Sequence, residues 1–241
     1  MHQYGLLGYP LGHSFSRAFF SDKFAREGID AEYLNFELPD IAALPAILDG
    51  HPDLRGFNVT IPYKQAVMAY LDDISPEARA IGAVNTVKIA VNRLIGHNTD
   101  VIGFRDSLRP LLQPHHTQAL VLGTGGASRA VTHALDALGI AWRYVSRKGS
   151  FSYADLTPAI LADYTLIVNC TPLGMSPRID ACPDIPYEAL TSRHLLYDLV
   201  YNPEETLFLR RGRERGAATK NGLEMLHLQA LAAWQIWTDQ Q

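Results

Sequence analysis

Four apolar residues, Ala119-Leu120-Val121-Leu122, run directly into Gly123-Thr124-Gly125-Gly126-Ala127-Ser128, and the chain then carries Ala130, Val131, Ala134, Leu135 and Leu138. A short apolar run, a glycine cluster and then apolar residues at spacings of three and four read as strand, tight turn and helix. Glycines let the backbone turn sharply and come close to a ligand. The helix start offers N–H groups and a partial positive charge, which suits a pyrophosphate. Ser128, at the third small position, leaves room for close helix–strand packing. Taken alone, the turn is also compatible with a plain connection or with another nucleotide-type ligand such as a methyl donor.

The end of the next strand separates the dinucleotides. An NAD site places an acidic residue about 20 positions after the glycines to bind the ribose hydroxyls. Here that region is Ser146-Arg147-Lys148, with no carboxylate nearby. Two cations and a hydroxyl suit a 2′-phosphate, so NADP is expected over NAD. The competing reading of the triplet is a solvated basic turn.

Around this motif the pattern alternates between strand-like and helix-like segments, which indicates an α/β chain with mainly parallel strands. A helix is expected over about 16–26, with Phe20 and Phe24 four apart and Gly28 past its end. Strands follow at Leu34–Leu38 and Phe57–Ile61, and Pro62 precedes an expected helix from Tyr63 to Leu71. Ala83–Val91 and Leu94–His97 read as strands joined by Asn92-Arg93. Thr99-Asp100 opens a helix to about Leu112, and Gln113-Pro114-His115-His116-Thr117 breaks the pattern. Beyond it the alternation restarts: Trp142–Val145, Leu166–Val168 and Leu195–Leu199 are strands, and a helix runs from Leu223 to Trp237. Two α/β units fit this better than one.

Composition narrows the class. The chain has 241 residues, 47 % of them apolar and 19 % charged, with a net charge of −4. That is enough apolar residues to bury a core, and the low charge excludes global disorder. A pI near 6.1 argues against nucleic acid as partner. Apolar runs such as Ala66–Leu71 are far below the ~18 residues of a membrane span. The start of the sequence has no secretory pattern, so a cytoplasmic location is expected. Cys170 and Cys182 are too few for a disulfide framework or a cysteine zinc cluster, and the nine histidines show no ligand spacing, so no metal is expected. Arg210, Arg211, Arg213 and Arg215 read as a solvated helix face.

Lys64, just after the Thr60 strand, and Asp100, at a helix start, are candidate acid–base groups for a carbonyl–alcohol conversion; a surface lysine and a capping aspartate are the plain alternatives. The wider pattern decides between them. Gly8-Tyr9-Pro10-Leu11-Gly12-His13-Ser14-Phe15-Ser16, Asn58-Val59-Thr60-Ile61-Pro62-Tyr63-Lys64, Gly82-Ala83-Val84-Asn85-Thr86 and Gly96-His97-Asn98-Thr99-Asp100 with Gly103 occur in that order. Asn169-Cys170-Thr171-Pro172-Leu173-Gly174-Met175, Asp198-Leu199-Val200-Tyr201-Asn202-Pro203 and Gly222-Leu223-Glu224-Met225-Leu226 with Gln229 complete the series. Together with the glycine turn, these blocks span nearly the whole chain and resemble the shikimate dehydrogenase family.

The resemblance implies reversible reduction of 3-dehydroshikimate to shikimate with NADPH, on the route to aromatic amino acids. It implies a substrate domain over 1–113, completed by a returning C-terminal helix at 223–241, and a Rossmann NADP domain over 114–222. Lys64 and Asp100 are then the catalytic pair. Ser14 and Ser16 would bind the substrate carboxylate, their i, i+2 spacing pointing both the same way on extended backbone, and Tyr201 would add a hydroxyl. Asn58, Thr60, Asn85 and Gln229 would hold the ring hydroxyls. The cofactor would take Gly123, Gly125, Gly126, Ala127, Ser146, Arg147, Lys148, Thr171, Val200, Gly222 and Met225. The family more often has Asn-Arg-Thr where this chain has Ser146-Arg147-Lys148. A quinate/shikimate dehydrogenase of broader substrate or NAD use is a near alternative, and a non-catalytic NADP-binding regulator a remoter one. The partner expected is a small-molecule substrate, with the chain a monomer or homodimer.

Overall fold

A computed structural model describes residues 1–12, 15–91 and 93–239, and the chain divides into two compact units, Met1–Thr99 with the segment from Ala230, and Asp100–Gln229. In the first unit the elements are β1 (His2–Gly8), α1 (Phe15–Glu27), β2 (Ala31–Glu37), α2 (Leu44–Gly50), β3 (Leu54–Val59), β4 (Asp73–Ile74), α3 (Pro76–Ile81), β5 (Thr86–Ala90) and β6 (Arg93–His97). They form one sheet in the order β2-β1-β3-β5-β6-β4. β1 is parallel to β2 and β3, whereas β5 runs antiparallel to both β3 and β6.

Both faces of this sheet are covered. Tyr4 and Leu6 of β1 join a cluster with Phe20, Phe24, Tyr33, Ala230, Ala233 and Trp237, while Leu7 joins Phe36, Phe57, Val59, Val67 and Val87. The two-residue period of a strand sends neighbours to opposite faces, so a strand buried on both faces reads as nearly continuous apolar sequence.

Three expectations are corrected in this unit and at its border. Tyr63–Leu71 does not form an α-helix; only Ala66–Tyr70 winds, as a 3₁₀ turn. The Lys64 carbonyl accepts the Val84 N–H at 2.7 Å, and Met68 N–H donates to Gln65 instead. The tertiary hydrogen bond thus takes the acceptor an α-helix needs. The hairpin pairs Ala90 with Arg93, so Arg93 belongs to β6 rather than to the connection, and β5 stops at Ala90; Asn92 lies outside the described residues. The helix opened by Asp100 stops at Leu108 and continues only as a 3₁₀ turn over Arg109–Leu111, where Pro110 removes an N–H.

The second unit holds α4 (Asp100–Leu108), β7 (Gln118–Leu122), α5 (Gly126–Ala137), β8 (Ala141–Val145), α6 (Pro158–Asp163), β9 (Leu166–Asn169), β10 (Leu195–Asp198), α7 (Leu207–Glu214), β11 (Ala218–Lys220) and the start of α8 (Leu223–Thr238). Its five strands lie in the order β11-β10-β9-β7-β8, every pair parallel. Leu120, Leu122, Ile167, Leu196 and Phe208 form the centre of its core. α4 packs against α5, and Ser107 of α4 shares a 2.6 Å hydrogen bond with the buried Tyr197 hydroxyl. Packing therefore groups α4 and the first turns of α8 with this unit, although the sequence pattern breaks only at Gln113-Pro114.

His115 and His116 are not a loose connection. His116 is buried; its Nδ1 accepts from Gln113 N–H at 2.9 Å and its Nε2 donates to Arg193 O at 3.2 Å. No helix is long and apolar enough to cross a membrane among the described residues.

Candidate active site

In the first unit, polar side chains collect where β3 and β6 end and β5 begins. Asn58 is buried, and its Oδ1 accepts from the Tyr33 hydroxyl at 2.8 Å. Its Nδ2 donates to Asn85 O and to Thr86 Oγ1 at 3.3 and 3.1 Å. Asn85 Oδ1 in turn accepts from Thr99 N–H at 2.7 Å, and Asn85 Nδ2 donates to Thr99 Oγ1 at 3.0 Å. Burial pushes the Tyr33 hydroxyl far above the usual tyrosine range, against a smaller opposing effect of its hydrogen bond with Ser16. Tyr33 is thus a neutral donor that ties Ser16 to Asn58. Such a network, buried and mutually satisfied, locks each amide in one orientation. Thr60 and Lys64 are half-buried on the segment leaving β3, where Thr60 N–H donates to Leu7 O and Tyr63 hydroxyl to Leu38 O. Ser14 lies outside the described residues.

In the second unit the expected dinucleotide residues gather at the carboxyl edge of the parallel sheet. Leu122, Val145 and Asn169 are register partners across β7, β8 and β9, and Asn169 pairs with Asp198 of β10. The glycine turn, Ser146-Arg147-Lys148, Thr171 and Val200 therefore all follow strand ends that lie side by side. The chain passes from β7 to β8 on one side and returns to β9 on the other, and the edge above such a reversal is where open α/β sheets bind ligands. Gly123 has φ 97°, and a Cβ there would also come within 2.9 Å of the Thr171 methyl. Gly125 and Gly126 face open space, and Ser128, fully buried, donates from Oγ to Gly125 O at 2.6 Å. Ala127 is half-buried in the first turn of α5, and Arg147 and Lys148 are exposed. A backbone cradle with open space beside it, next to two cations, fits a dinucleotide bearing a 2′-phosphate.

Beneath this edge, Asp198 is fully buried. Its carboxylate accepts from Asn169 Nδ2, Val200 N–H and Thr206 Oγ1 at 2.9, 3.0 and 2.6 Å. Burial raises its pKa to about 6, with those three hydrogen bonds pulling the other way. The neighbouring Cys170 thiol is pushed well above its normal range by burial and then by the Asp198 charge, which makes it an inert thiol rather than a nucleophile.

α4 and α8 bring a further group together. A Cβ on Gly103 would collide with Met225 O and come within 3.1 Å of Gln229, so the two helices touch at bare backbone. Asp100 is three residues before Gly103 and so shares that face of α4. Asp100, Met225 and Gln229 are all buried. Gly222 N–H donates to Val200 O at 3.2 Å just before α8, and Tyr201 is partly exposed, its hydroxyl raised by partial burial.

Residues 6–87 match the protein family described as the shikimate dehydrogenase substrate binding domain. A shikimate dehydrogenase (NADP(+)) of Symbiobacterium thermophilum is 41 % identical over 262 residues, covering 97 % of this chain and 87 % of the relative. The chain belongs to the shikimate dehydrogenase family. The solved structure of shikimate 5-dehydrogenase from Thermus thermophilus in complex with NADP(H) and shikimate superposes with a TM-score of 0.88 at 36 % identity, over 99 % of this chain and 94 % of that one. A ligand-free 5-ketofructose reductase of a Gluconobacter strain also superposes, with a TM-score of 0.84 at 31 % identity over 98 % of this chain and 92 % of that one. Members of the shikimate dehydrogenase fold thus differ in substrate, and the side chains at the site carry the distinction.

Tyr33, Thr99 and Asp198 carry hydrogen bonds at the site that no sequence pattern assigned to them. Asp198 sits in a quoted block without a role. For Tyr33 the sequence offers no signal, because in β2 it shares the alternate positions with Asn35 and Glu37.

Proposed function

We propose that this chain reduces 3-dehydroshikimate to shikimate, reversibly, with NADPH. The observation that carries the reading is the full-length likeness to an enzyme solved with NADP(H) and shikimate, in a chain that also keeps Lys64, Asp100 and the buried Asn58–Asn85–Thr99 network. The first unit carries Lys64 and most of the substrate residues, and the second carries the dinucleotide residues together with Asp100, Tyr201 and Gln229. NADPH, when bound, supplies the hydride.

The protein's own residues manage the rest. Lys64 donates a proton to the oxygen as the carbonyl becomes an alkoxide, and takes it back in the oxidation direction; Asp100 is its partner and accepts from a substrate hydroxyl. Ser14, Ser16 and Tyr201 hold the carboxylate. Thr60, Asn85 and Gln229 hold ring hydroxyls, and Asn58, with both amide hydrogens engaged, offers only Oδ1. Gly123, Gly125, Gly126 and Ala127 cradle the pyrophosphate, and Ser146, Arg147 and Lys148 take the 2′-phosphate. Thr171, Val200, Gly222 and Met225 line the nicotinamide side.

The deciding experiment is near-UV absorbance of purified protein with shikimate, quinate or fructose as substrate, each against NADP⁺ and NAD⁺. Rapid turnover with shikimate and NADP⁺ alone is expected. Comparable rates with quinate or NAD⁺ would replace the reading by the broader dehydrogenase, and turnover of none, with folded protein, would overturn it.

A further inference from the structure

The second unit contains one buried carboxylate to which the reaction assigns nothing. Asp198 has no ion-pair partner among the described residues; three neutral donors point at it instead. Keeping an unpaired charge there is costly unless it is used, because neutral side chains satisfy the same three donors more cheaply.

What the carboxylate does differently is impose a direction. It only accepts, so Asn169 must turn its Nδ2 toward it, and Asn169 Oδ1 must then face the other way. On that side Oδ1 accepts from both Thr171 N–H, at 3.0 Å, and Thr171 Oγ1, at 2.7 Å. With its hydrogen committed to Asn169, the Thr171 oxygen accepts from Leu173 N–H at 3.3 Å, and its methyl lies against Gly123. The chain of dependence runs from Asp198 through one amide to the side chain that abuts the glycine turn.

We propose that Asp198 is a positioning residue for the dinucleotide, acting through Asn169 to hold Thr171 against the glycine turn. This rests on the reading above that the turn and Thr171 take NADP. The plain alternative is that Asp198 only pins the ends of β9 and β10 and, through Thr206, caps α7, whose first-turn Leu209 N–H the Thr206 hydroxyl accepts. A purely structural residue weakens everything or nothing, whereas a positioning residue acts on one ligand.

The test compares Asp198→Ala, Asp198→Asn and Asn169→Ala, alone and with Thr171→Val. KM for NADP⁺, KM for shikimate and kcat are measured, with direct NADP⁺ binding by calorimetry. Losing one oriented hydrogen-bonding group is expected to raise KM and Kd for NADP⁺ about tenfold in Asp198→Ala and Asn169→Ala, with KM for shikimate within about twofold. Asp198→Asn keeps an acceptor for Asn169 and is expected to restore most of the affinity. With Thr171→Val present, neither Ala variant is expected to weaken NADP⁺ further, since the relay then has no end. If Asp198→Ala does not fold, Asn169→Ala cuts the same relay and leaves the other donors on Asp198. Unchanged NADP⁺ affinity in Asn169→Ala, or an effect additive with Thr171→Val, would overturn the proposal and leave the cofactor reading standing. A wild-type protein that binds no NADP⁺ would overturn both.

Discussion

Replacing Trp237 by alanine is expected to remove much of the stability of the first unit. Trp237 is buried against Tyr4, stacked at 4.9 Å between ring centroids, and against Phe20 at 5.3 Å; its Nε1 donates to Val87 O at 3.0 Å. Gly56 has no side chain where the indole rests, so no neighbour is placed to fill the hole. Emptying such a site costs about 3–5 kcal/mol, and the lost hydrogen bond adds about 1 kcal/mol. Trp237→Phe keeps most of the ring contact and is expected to cost only about 1–2 kcal/mol. Urea unfolding followed by far-UV circular dichroism reads this, with hydrogen exchange of the β7 and β9 amides reporting the second unit. The expected result is an early transition for the first unit, earliest for Ala, then Phe, then wild type, with exchange in β7 and β9 little changed. An alanine variant that loses less than about 1.5 kcal/mol, or a phenylalanine variant as weak as alanine, would refute the packing account.

Three further outcomes are expected. Lys64→Ala lowers kcat by roughly 10²–10⁴ with much less change in KM, read in the shikimate–NADP⁺ assay; near-normal turnover would remove Lys64 from the chemistry. Burial holds the His116 imidazole below its usual pKa, and its Nδ1 already accepts an N–H, so the folded state resists protonation. Stability contributed there is present above the unfolded value near 6.5 and is lost as pH falls through it, by at most about 1.4 kcal/mol per unit. His116→Asn, whose Oδ1 replaces Nδ1, is expected to flatten that slope in urea midpoints taken between pH 5 and 8. Gly103→Ala drives a methyl onto the Met225 carbonyl and is expected to cost about 1–3 kcal/mol. It should depress kcat/KM as well, because Asp100 and Gln229 share that contact; full activity would separate them from it.

Much of this was legible in the sequence, for reasons that are local. The glycine turn is visible because strand, turn and helix adjoin in sequence, and alternation in β2 and β3 announces strands without any knowledge of partners. What was hidden depends on contacts far apart in the chain. Tyr63–Leu71 has helical spacing, yet Val84 takes the Lys64 carbonyl and only a 3₁₀ turn forms. Asn58 has its hydrogen bonds with Tyr33 and Thr86, which lie 25 and 28 residues away. Asp198 looks like a strand-end aspartate until Asn169 is seen beside it in register. His115-His116 reads as a polar break, but His116 is buried beneath the Arg193 carbonyl.

The compact unit that begins the chain is closed by residues near its end, since Ala230, Ala233 and Trp237 complete the cluster that holds Tyr4 and Phe20. About 130 residues separate its two parts. At a synthesis rate of roughly 5–20 residues per second, the first 99 residues wait about 7–26 s with one sheet face covered only in part, by Phe20 and Phe24 of α1, before α8 emerges. The intervening unit is contiguous in sequence and has all its residues once Gln229 is made, whereas the first unit still waits for Trp237. A ribosome that stalls before Trp237 therefore leaves an aromatic cluster incompletely covered for chaperones to hold.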